Sequence, residues 1–157
     1  MAARPQRPPA PPPAGMRLRR VLFVSQQRAE AMRPPSATAL ISITDPGRPM
    51  AALRDGWHAV LRLSFDDVDP VTFPGLDDPL DSLSADEVAD IAAFAAAHAR
   101  HCRCIVVHCR HGVSRSAAVA RAICHATGIA FPAHYDRYNR YVYLVLRRAV
   151  RFAVEAA

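Results

Sequence analysis

The chain has 157 residues, of which 51% are hydrophobic types and 22% are charged types, so its composition is that of one globular domain rather than a disordered protein. Its net charge is +6, but the first 20 residues carry five Arg and no acidic residue, which leaves 15 Arg against 14 acidic residues in the remainder. A nearly neutral domain does not indicate a nucleic-acid partner, and the lack of an apolar run of about 20 residues excludes a transmembrane protein and indicates no membrane partner.

The beginning of the chain is rich in proline, because residues 1–15 hold six of the 14 prolines. Such a segment buries too little apolar surface to fold, so we predict a disordered tail over residues 1–15 and a single domain over residues 16–157. The apolar run at 21–24 is too short for the core of a secretion signal, which favours a cytoplasmic protein. The sequence leaves open the role of the tail and whether Met1 or Met16 is the true start.

Short apolar runs then alternate with amphipathic stretches along the chain. We predict buried strands at residues 21–25, 39–43, 60–65 and 104–108. We predict a helical turn at 29–32 and helices at 84–98, 116–127 and 136–150, with a long Asp-rich loop at 66–83. Ser84 and Glu87 form a capping-box signature, and Gly128 is a natural C-cap.

The last predicted helix has an apolar stripe of its own, formed by Tyr138, Tyr141 and either Leu144 or Val145. Strands that alternate with helices are typical of an α/β fold. We therefore predict a mostly parallel central sheet flanked by helices. The sequence does not indicate an oligomeric state.

Four cysteines lie at positions 102, 104, 109 and 124. Their spacing is not that of a secreted disulfide framework, which favours a reducing compartment. Cys102 and Cys104 have no matching second pair nearby, so the sequence predicts no zinc site and no metal or cofactor.

The most informative segment is residues 108–116, which read His-Cys-Arg-His-Gly-Val-Ser-Arg-Ser between a predicted strand and a predicted helix. The first N–H groups of a helix lack partners inside it, and with the helix dipole they attract an anion. Gly112 allows the backbone a tight path, and Arg115 can donate two parallel hydrogen bonds to a phosphate. The segment therefore predicts a phosphate-binding loop.

Cys109 lies at the base of this predicted loop. The donors that bind a phosphate also stabilise a thiolate, which is the nucleophilic form of cysteine. An ionised sulfur beneath a bound phosphorus atom is suited to phosphoryl transfer.

Residues 108–116 resemble the signature of the cysteine-dependent protein tyrosine phosphatases, in particular the small dual-specificity group. The resemblance is sharp over about residues 104–120. It implies that Cys109 is the nucleophile that forms a phosphocysteine, that Arg115 holds the phosphoryl oxygens and that Ser116 hydrogen-bonds the sulfur. It also implies that His108 holds the loop. The amides of the loop would bind the phosphate, and they belong to Arg110, His111, Gly112, Val113, Ser114 and Arg115.

The resemblance also implies an Asp as general acid, and the sequence offers three candidates. Asp67 is our preferred assignment because the pair Asp66-Asp67 directly follows a predicted strand. It lies 42 residues before Cys109, whereas Asp78 lies 31 residues before it, closer to the spacing of the compact family members. Asp78 and Asp66 stay open as alternatives.

The leading functional prediction is a phosphomonoester hydrolase with a phosphocysteine intermediate, acting on phosphotyrosine in a protein or peptide, with dual specificity left open. The alternative is a phosphate-binding module that keeps the loop and turns over poorly. A sulfurtransferase with an active Cys loop is a third reading, which a sulfur-donor assay would distinguish. The physiological substrate is not indicated.

Overall fold

The computed structural model describes residues 14–75 and 82–157. Four strands and four helices follow one another in these described residues. They are β1 (Arg20–Ser25), α1 (Gln26–Ala31), β2 (Thr38–Thr44), β3 (Ala59–Ser64), α2 (Ala85–Ala99), β4 (Cys104–Cys109), α3 (Arg115–Thr127) and α4 (Arg140–Ala156). The chain is an α/β domain with a parallel sheet flanked by helices, as the sequence predicts.

The sheet has the order β1-β4-β2-β3, and each neighbouring pair is parallel. Every residue of β2 is buried, because β4 and β3 pair with its two edges and the sheet is covered by helices. Since all four strands run in the same direction, their carboxyl ends lie at one edge of the sheet. The segments after β1, β2, β3 and β4 therefore meet at that edge.

The predicted helix ends are largely those of the structure. Ser84 accepts a hydrogen bond from the Glu87 backbone, and the Glu87 side chain accepts one from the Ser84 backbone, so the capping box starts α2 as the sequence predicts. Gly128 ends α3 with φ of 73°, a left-handed conformation that glycine adopts without strain. The strand predicted at 60–65 is shifted by one residue, and Phe65 lies beyond it as a fully buried side chain.

The prediction for the last helix is wrong at both ends. The helix was predicted at 136–150, but α4 starts at Arg140 and continues to Ala156. Asn139 is its N-cap and accepts a hydrogen bond from the Val142 backbone. Of the predicted apolar stripe, Tyr138 is buried but precedes the helix, and Tyr141 and Val145 are partly buried against the core. Leu144, the alternative to Val145, is 43% exposed. The buried face consists of Val142, Tyr143, Leu146, Val150 and Val154.

Two predictions fall on residues outside the described part of the chain. Most of the predicted tail, residues 1–13, lies there, and so does the alternative acid Asp78. Within the described residues, no helix is long and apolar enough to cross a membrane.

Candidate active site

The predicted phosphate loop lies at the carboxyl edge of the sheet, between the end of β4 and the start of α3. Cys109 is the last residue of β4 and pairs in register with Ser25 at the end of β1. The backbone N–H of Gln26 donates to the carbonyl of Arg110 at 3.3 Å. The first residues of the loop are therefore held against the adjacent strand end.

Gly112 is required at the tightest point of the loop. Its φ is +70°, and a Cβ at this position would lie 2.3 Å from Val24 C and Ser25 N. Both atoms are backbone at the end of β1, so they cannot move aside without disturbing the sheet. The loop therefore reaches β1 only because residue 112 has no side chain.

We expect Gly112→Ala to destabilise the chain and weaken phosphate binding. Gly47→Ala is a matched control, because Gly47 has a similar φ of +74° but nothing within 4 Å of the added Cβ. A left-handed alanine alone costs about 1–2 kcal/mol, and overpacking adds about 1–3 kcal/mol at residue 112. Urea unfolding of both variants and calorimetric phosphate binding would measure this. Equal unfolding free energies for the two variants would refute the close contact.

Cys109 is the buried thiol at the base of the loop, with 2% of its surface exposed. Its Sγ lies 3.1 Å from the hydroxyl oxygen of Ser116, which is fully buried in α3. A hydroxyl in this place can donate to the sulfur once the thiol proton has left. The structure therefore brings together the pair that the sequence resemblance implies.

The other three thiols lack such surroundings. Burial raises the pKa of Cys102, Cys104 and Cys124, the last to about 12. These thiols stay protonated at neutral pH unless a cation binds them, so they are poor nucleophiles.

His108 links the end of β4 to the centre of the sheet. It is fully buried, and its Nε2 lies 2.6 Å from Ser42 Oγ, with which it pairs in register on β2. Burial lowers the pKa of His108, so its imidazole is neutral at pH 7. These contacts fit the holding role implied for His108.

Arg115 is the buried cation of the loop, with 5% of its side chain exposed. Its Nη2 lies 2.7 Å from Asp45 Oδ1, and its Nη1 donates to the carbonyl of Phe65 at 2.8 Å. The Nε–H of Arg115 is buried with no hydrogen-bond partner among the described residues. The guanidinium is thus anchored by two contacts and keeps a donor for a further acceptor.

Asp45 is a site residue that the sequence analysis missed. It follows β2 in a turn Asp-Pro-Gly and pairs with Arg115 and, at 3.6 Å, with Arg110. Its sequence signal is that of an ordinary turn residue. Only the parallel sheet, which puts the end of β2 beside the end of β4, reveals its role.

The first turn of α3 retains free hydrogen-bonding capacity for an anion. Ser114 precedes the helix but makes no side-chain capping bond, and the first turn has no acidic residue. The Ser114 hydroxyl donates instead to Asp67 Oδ1 at 2.8 Å. The N-terminus of α3 therefore directs the free N–H groups of its first turn, and the positive end of its dipole, at the loop.

Asp67, the preferred general acid, is placed beside the loop. It is exposed, and Oδ1 accepts hydrogen bonds from Ser114 and from Asn139 Nδ2, the latter at 2.9 Å. Asn139 Nδ2 also donates to the Val68 carbonyl. Asp66 is half-buried, and among the described residues its side chain forms no hydrogen bond or ion pair with the loop, so geometry favours Asp67 between these two.

The sequence analysis also missed Asn139 and Asp69, which together position the segment that contains Asp67. Asp69 accepts hydrogen bonds from the backbones of Arg140 and Tyr141 at the start of α4. Burial opposes ionisation of Asp69, but these bonds and those from Thr72 outweigh it and lower its pKa. Hydrogen bonds therefore hold residues 67–69, which include the preferred acid Asp67, against the start of α4. The sequence analysis placed that start too early in the chain.

The rest of the loop faces solvent or a neighbouring residue. Arg110 and His111 are exposed, and Val113 is half-buried. The Val113 carbonyl accepts a hydrogen bond from the Tyr135 hydroxyl, which ties the loop to the segment before α4.

An open groove of about 490 Å³ lies beside the loop. Arg110 and Asp45 form its wall on the side of the loop, and Arg48 and Glu30 add charges of both signs. Exposed Met50 adds an apolar surface. A groove of this size can take a side chain or short peptide segment attached to a phosphate.

No protein-family model matches the chain, and searches of curated proteins and of solved structures likewise find no match.

Proposed function

We propose that this chain hydrolyses phosphomonoesters through a phosphocysteine on Cys109, in the manner of the cysteine-dependent protein tyrosine phosphatases. The observation that carries the proposal is the buried guanidinium of Arg115. Its Nε–H has no partner in the part of the chain that the structure describes, and it belongs to the same short segment as the buried Cys109. A buried donor without a partner costs free energy. A phosphate oxygen in the loop would satisfy it.

Phosphate binding would use groups of both the loop and the helix. Arg115 would donate from Nε and one Nη to two oxygens, while Asp45 and Phe65 keep the guanidinium in its plane. The amides of residues 110–115 and the dipole of α3 would bind the remaining charge. The bound dianion would then lie over Cys109.

In the first chemical step, the Cys109 thiolate attacks phosphorus and the bond from phosphorus to the leaving oxygen breaks. Asp67 donates its proton to that oxygen, so the product leaves as an alcohol or phenol. Arg115 and the loop amides stabilise the charge on the equatorial oxygens. The enzyme is left with a phosphocysteine and an ionised Asp67.

In the second step, water attacks phosphorus and gives a proton to the Asp67 carboxylate. The sulfur–phosphorus bond breaks, and the electron pair returns to Cys109. Ser116, 3.1 Å from the sulfur, donates a hydrogen bond to the departing thiolate. Inorganic phosphate then leaves.

The natural substrate class is phosphotyrosine in a protein, with phosphoserine and phosphothreonine as the test of dual specificity. Phosphate release from p-nitrophenyl phosphate and from matched phosphopeptides, in EDTA and reductant, tests the proposal. We expect turnover under these conditions, together with phosphate on the peptide that contains Cys109 after acid quenching and mass spectrometry. Turnover without any such labelling would refute the intermediate.

A phosphate-binding module with poor turnover is the second candidate. It is favoured by the contacts of Asp67, because Oδ1 is already engaged by Ser114 and Asn139. An acid held in this way has less freedom to reach a leaving oxygen. Tight phosphopeptide binding by the unaltered protein without phosphate release would support this candidate.

We expect Asp67→Asn to slow hydrolysis of phosphotyrosine by about 10²–10⁴-fold, the usual contribution of a general acid. Asparagine keeps an oxygen that can accept from Ser114 and Asn139, so the loop contacts persist. The loss should be much smaller with p-nitrophenyl phosphate, whose leaving group needs no proton. The alkaline limb of the kcat profile should disappear.

Asp66→Asn is the matched control for this experiment and should change kcat little. Equal losses with both leaving groups in Asp67→Asn would assign Asp67 a positioning role. A large loss of kcat in Asp66→Asn would assign the general acid to Asp66. If neither variant changes kcat, Asp78 remains as the candidate acid.

A further inference from the structure

Three metal-binding side chains from separate parts of the chain meet at the other edge of the sheet. His58 directly precedes β3, His98 lies in the last turn of α2, and Cys102 lies between α2 and β4. Their ligand atoms all lie within 4.8 Å of one another. Because the strands are parallel, this His–His–Cys cluster lies at the amino edge of the sheet, whereas the phosphate loop follows its carboxyl edge.

The backbone fixes the three residues of the cluster in place. The His58 N–H donates to the Thr38 carbonyl at the start of β2, at 2.8 Å. The Cys102 N–H donates to the His98 carbonyl, also at 2.8 Å. The cluster is therefore built on the sheet and on the end of a helix rather than on free loops.

His98 has a buried ring nitrogen, Nδ1, that has no hydrogen-bond partner among the described residues. Its ring centroid lies 4.3 Å from that of Phe94, with the rings tilted by 54°, and 5.6 Å from that of His58, in an edge-to-face arrangement. These neighbours limit the reorientation of the ring. A metal ion would use the lone pair that the chain itself leaves unused.

We propose that His58, His98 and Cys102 bind a divalent transition metal, with Zn²⁺ the best match. Two imidazoles and a thiolate are typical ligands of zinc, which also accepts a water in its fourth position. Cys102 is fully buried, His98 is half-buried and His58 is exposed, so the fourth position would face solvent beside His58.

The geometry needs only a small closure to bind the ion. Bonds of about 2.0–2.3 Å in a tetrahedron put donor atoms about 3.3–3.8 Å apart. The ligand atoms lie within 4.8 Å of one another, so closure by at most about 1.5 Å is enough. Rotation of the exposed His58 side chain can supply part of it.

Binding exchanges the thiol proton for the metal. Burial raises the pKa of Cys102, so the thiol is protonated in the free cluster, and the metal releases this proton to solvent as the S–metal bond forms. The carbonyl end of α2 lies at the cluster, and its partial negative charge favours a cation there.

The proposal departs from the expectation that the chain holds no metal, which was based on the spacing of Cys102 and Cys104 alone. The two His ligands, His58 and His98, lie 44 and four residues before Cys102 in the chain. The metal would link the start of β3 to α2 and to the segment before β4. The metal-site proposal does not depend on the proposed hydrolysis.

Metal titration of the full chain tests the proposal. All titrations use a chain that carries Cys109→Ser, so that metal bound by the Cys109 thiol does not contribute to the measured binding. We expect one equivalent of Zn²⁺ by calorimetry and a raised Tm. Co²⁺ should give a thiolate-to-cobalt charge-transfer band.

In that background, His58→Ala should weaken Zn²⁺ binding at least about tenfold, and Cys102→Ser should remove the charge-transfer band. Cys104→Ser and the exposed His125→Ala are matched controls and should leave both readouts unchanged. His58 is exposed, so its variant remains informative even where Cys102→Ser fails to fold. Failure to bind Zn²⁺, binding unaffected by His58→Ala, or loss of binding in either control would overturn the proposal.

Discussion

Cys109→Ser is expected to abolish phosphate release while the protein still binds phosphate. A serine hydroxyl is a much poorer nucleophile than a thiolate, and loss of the nucleophile typically lowers kcat by about 10⁴-fold or more. The binding groups remain, because the anchored guanidinium of Arg115 and the start of α3 do not depend on the sulfur. Steady-state turnover of p-nitrophenyl phosphate and calorimetry with a phosphotyrosine peptide measure the two effects.

Cys124→Ser is the matched control for this prediction. Cys124 is also buried, but burial raises its pKa to about 12, so its thiol is protonated at neutral pH. We expect this variant to keep kcat per folded molecule. A Cys109→Ser protein that retains kcat within tenfold of the unaltered chain would disprove the phosphocysteine mechanism.

Arg115→Lys is expected to lower kcat by about 10²–10³-fold although the charge is unchanged. The guanidinium reaches Asp45 and the Phe65 carbonyl at once and keeps a separate Nε–H. A lysine ammonium is a compact charge and cannot reproduce that fork. Loss of one preorganised donor at a transition-state oxygen costs about 2.7–4 kcal/mol. Turnover and phosphate affinity, measured beside urea unfolding, separate catalysis from stability.

Arg121→Lys is the control for a second arginine on the same helix, which is half-buried. Arg121 lies 4.3 Å from the ring centroid of Tyr138 and 4.8 Å from that of Tyr143, away from the phosphate loop. We expect this variant to lose stability through weaker cation–π contacts but to keep kcat per folded molecule. If Arg115→Lys keeps full kcat and phosphate affinity, the bidentate contact is not used.

The proposed metal cluster and the phosphate loop lie at opposite edges of one sheet. Their tests are therefore separable. EDTA is expected to remove a metal from the cluster and lower Tm, while the loop chemistry proceeds without it.

Local sequence patterns predicted much of the fold because their causes are local. The capping box at Ser84, the C-cap at Gly128 and the buried run of β4 each depend on residues within a few positions. The same is true of the turn from Cys109 to Arg115. One short segment holds the thiol, the glycine and the cation.

The start of α4 shows where local patterns fail. Asp136 and Asn139 are both acceptable helix caps by residue type. The structure selects Asn139, whose side chain also donates to Asp67 and Val68, while Asp69 accepts from the Arg140 backbone. Contacts across some 70 residues of sequence thus decided the helix boundary.

The sequence by itself predicted the class of fold and placed Cys109, Gly112 and Arg115 together in the segment between a strand and the next helix, because residues this near in sequence are already close in space. Only the tertiary structure decided which remote side chains join them. Asp45 and Asp67 reach the loop, and His58 reaches Cys102, because the parallel sheet brings equivalent ends of separate strands to one edge. A parallel connection separates such ends widely in sequence, so no local pattern encodes their meeting.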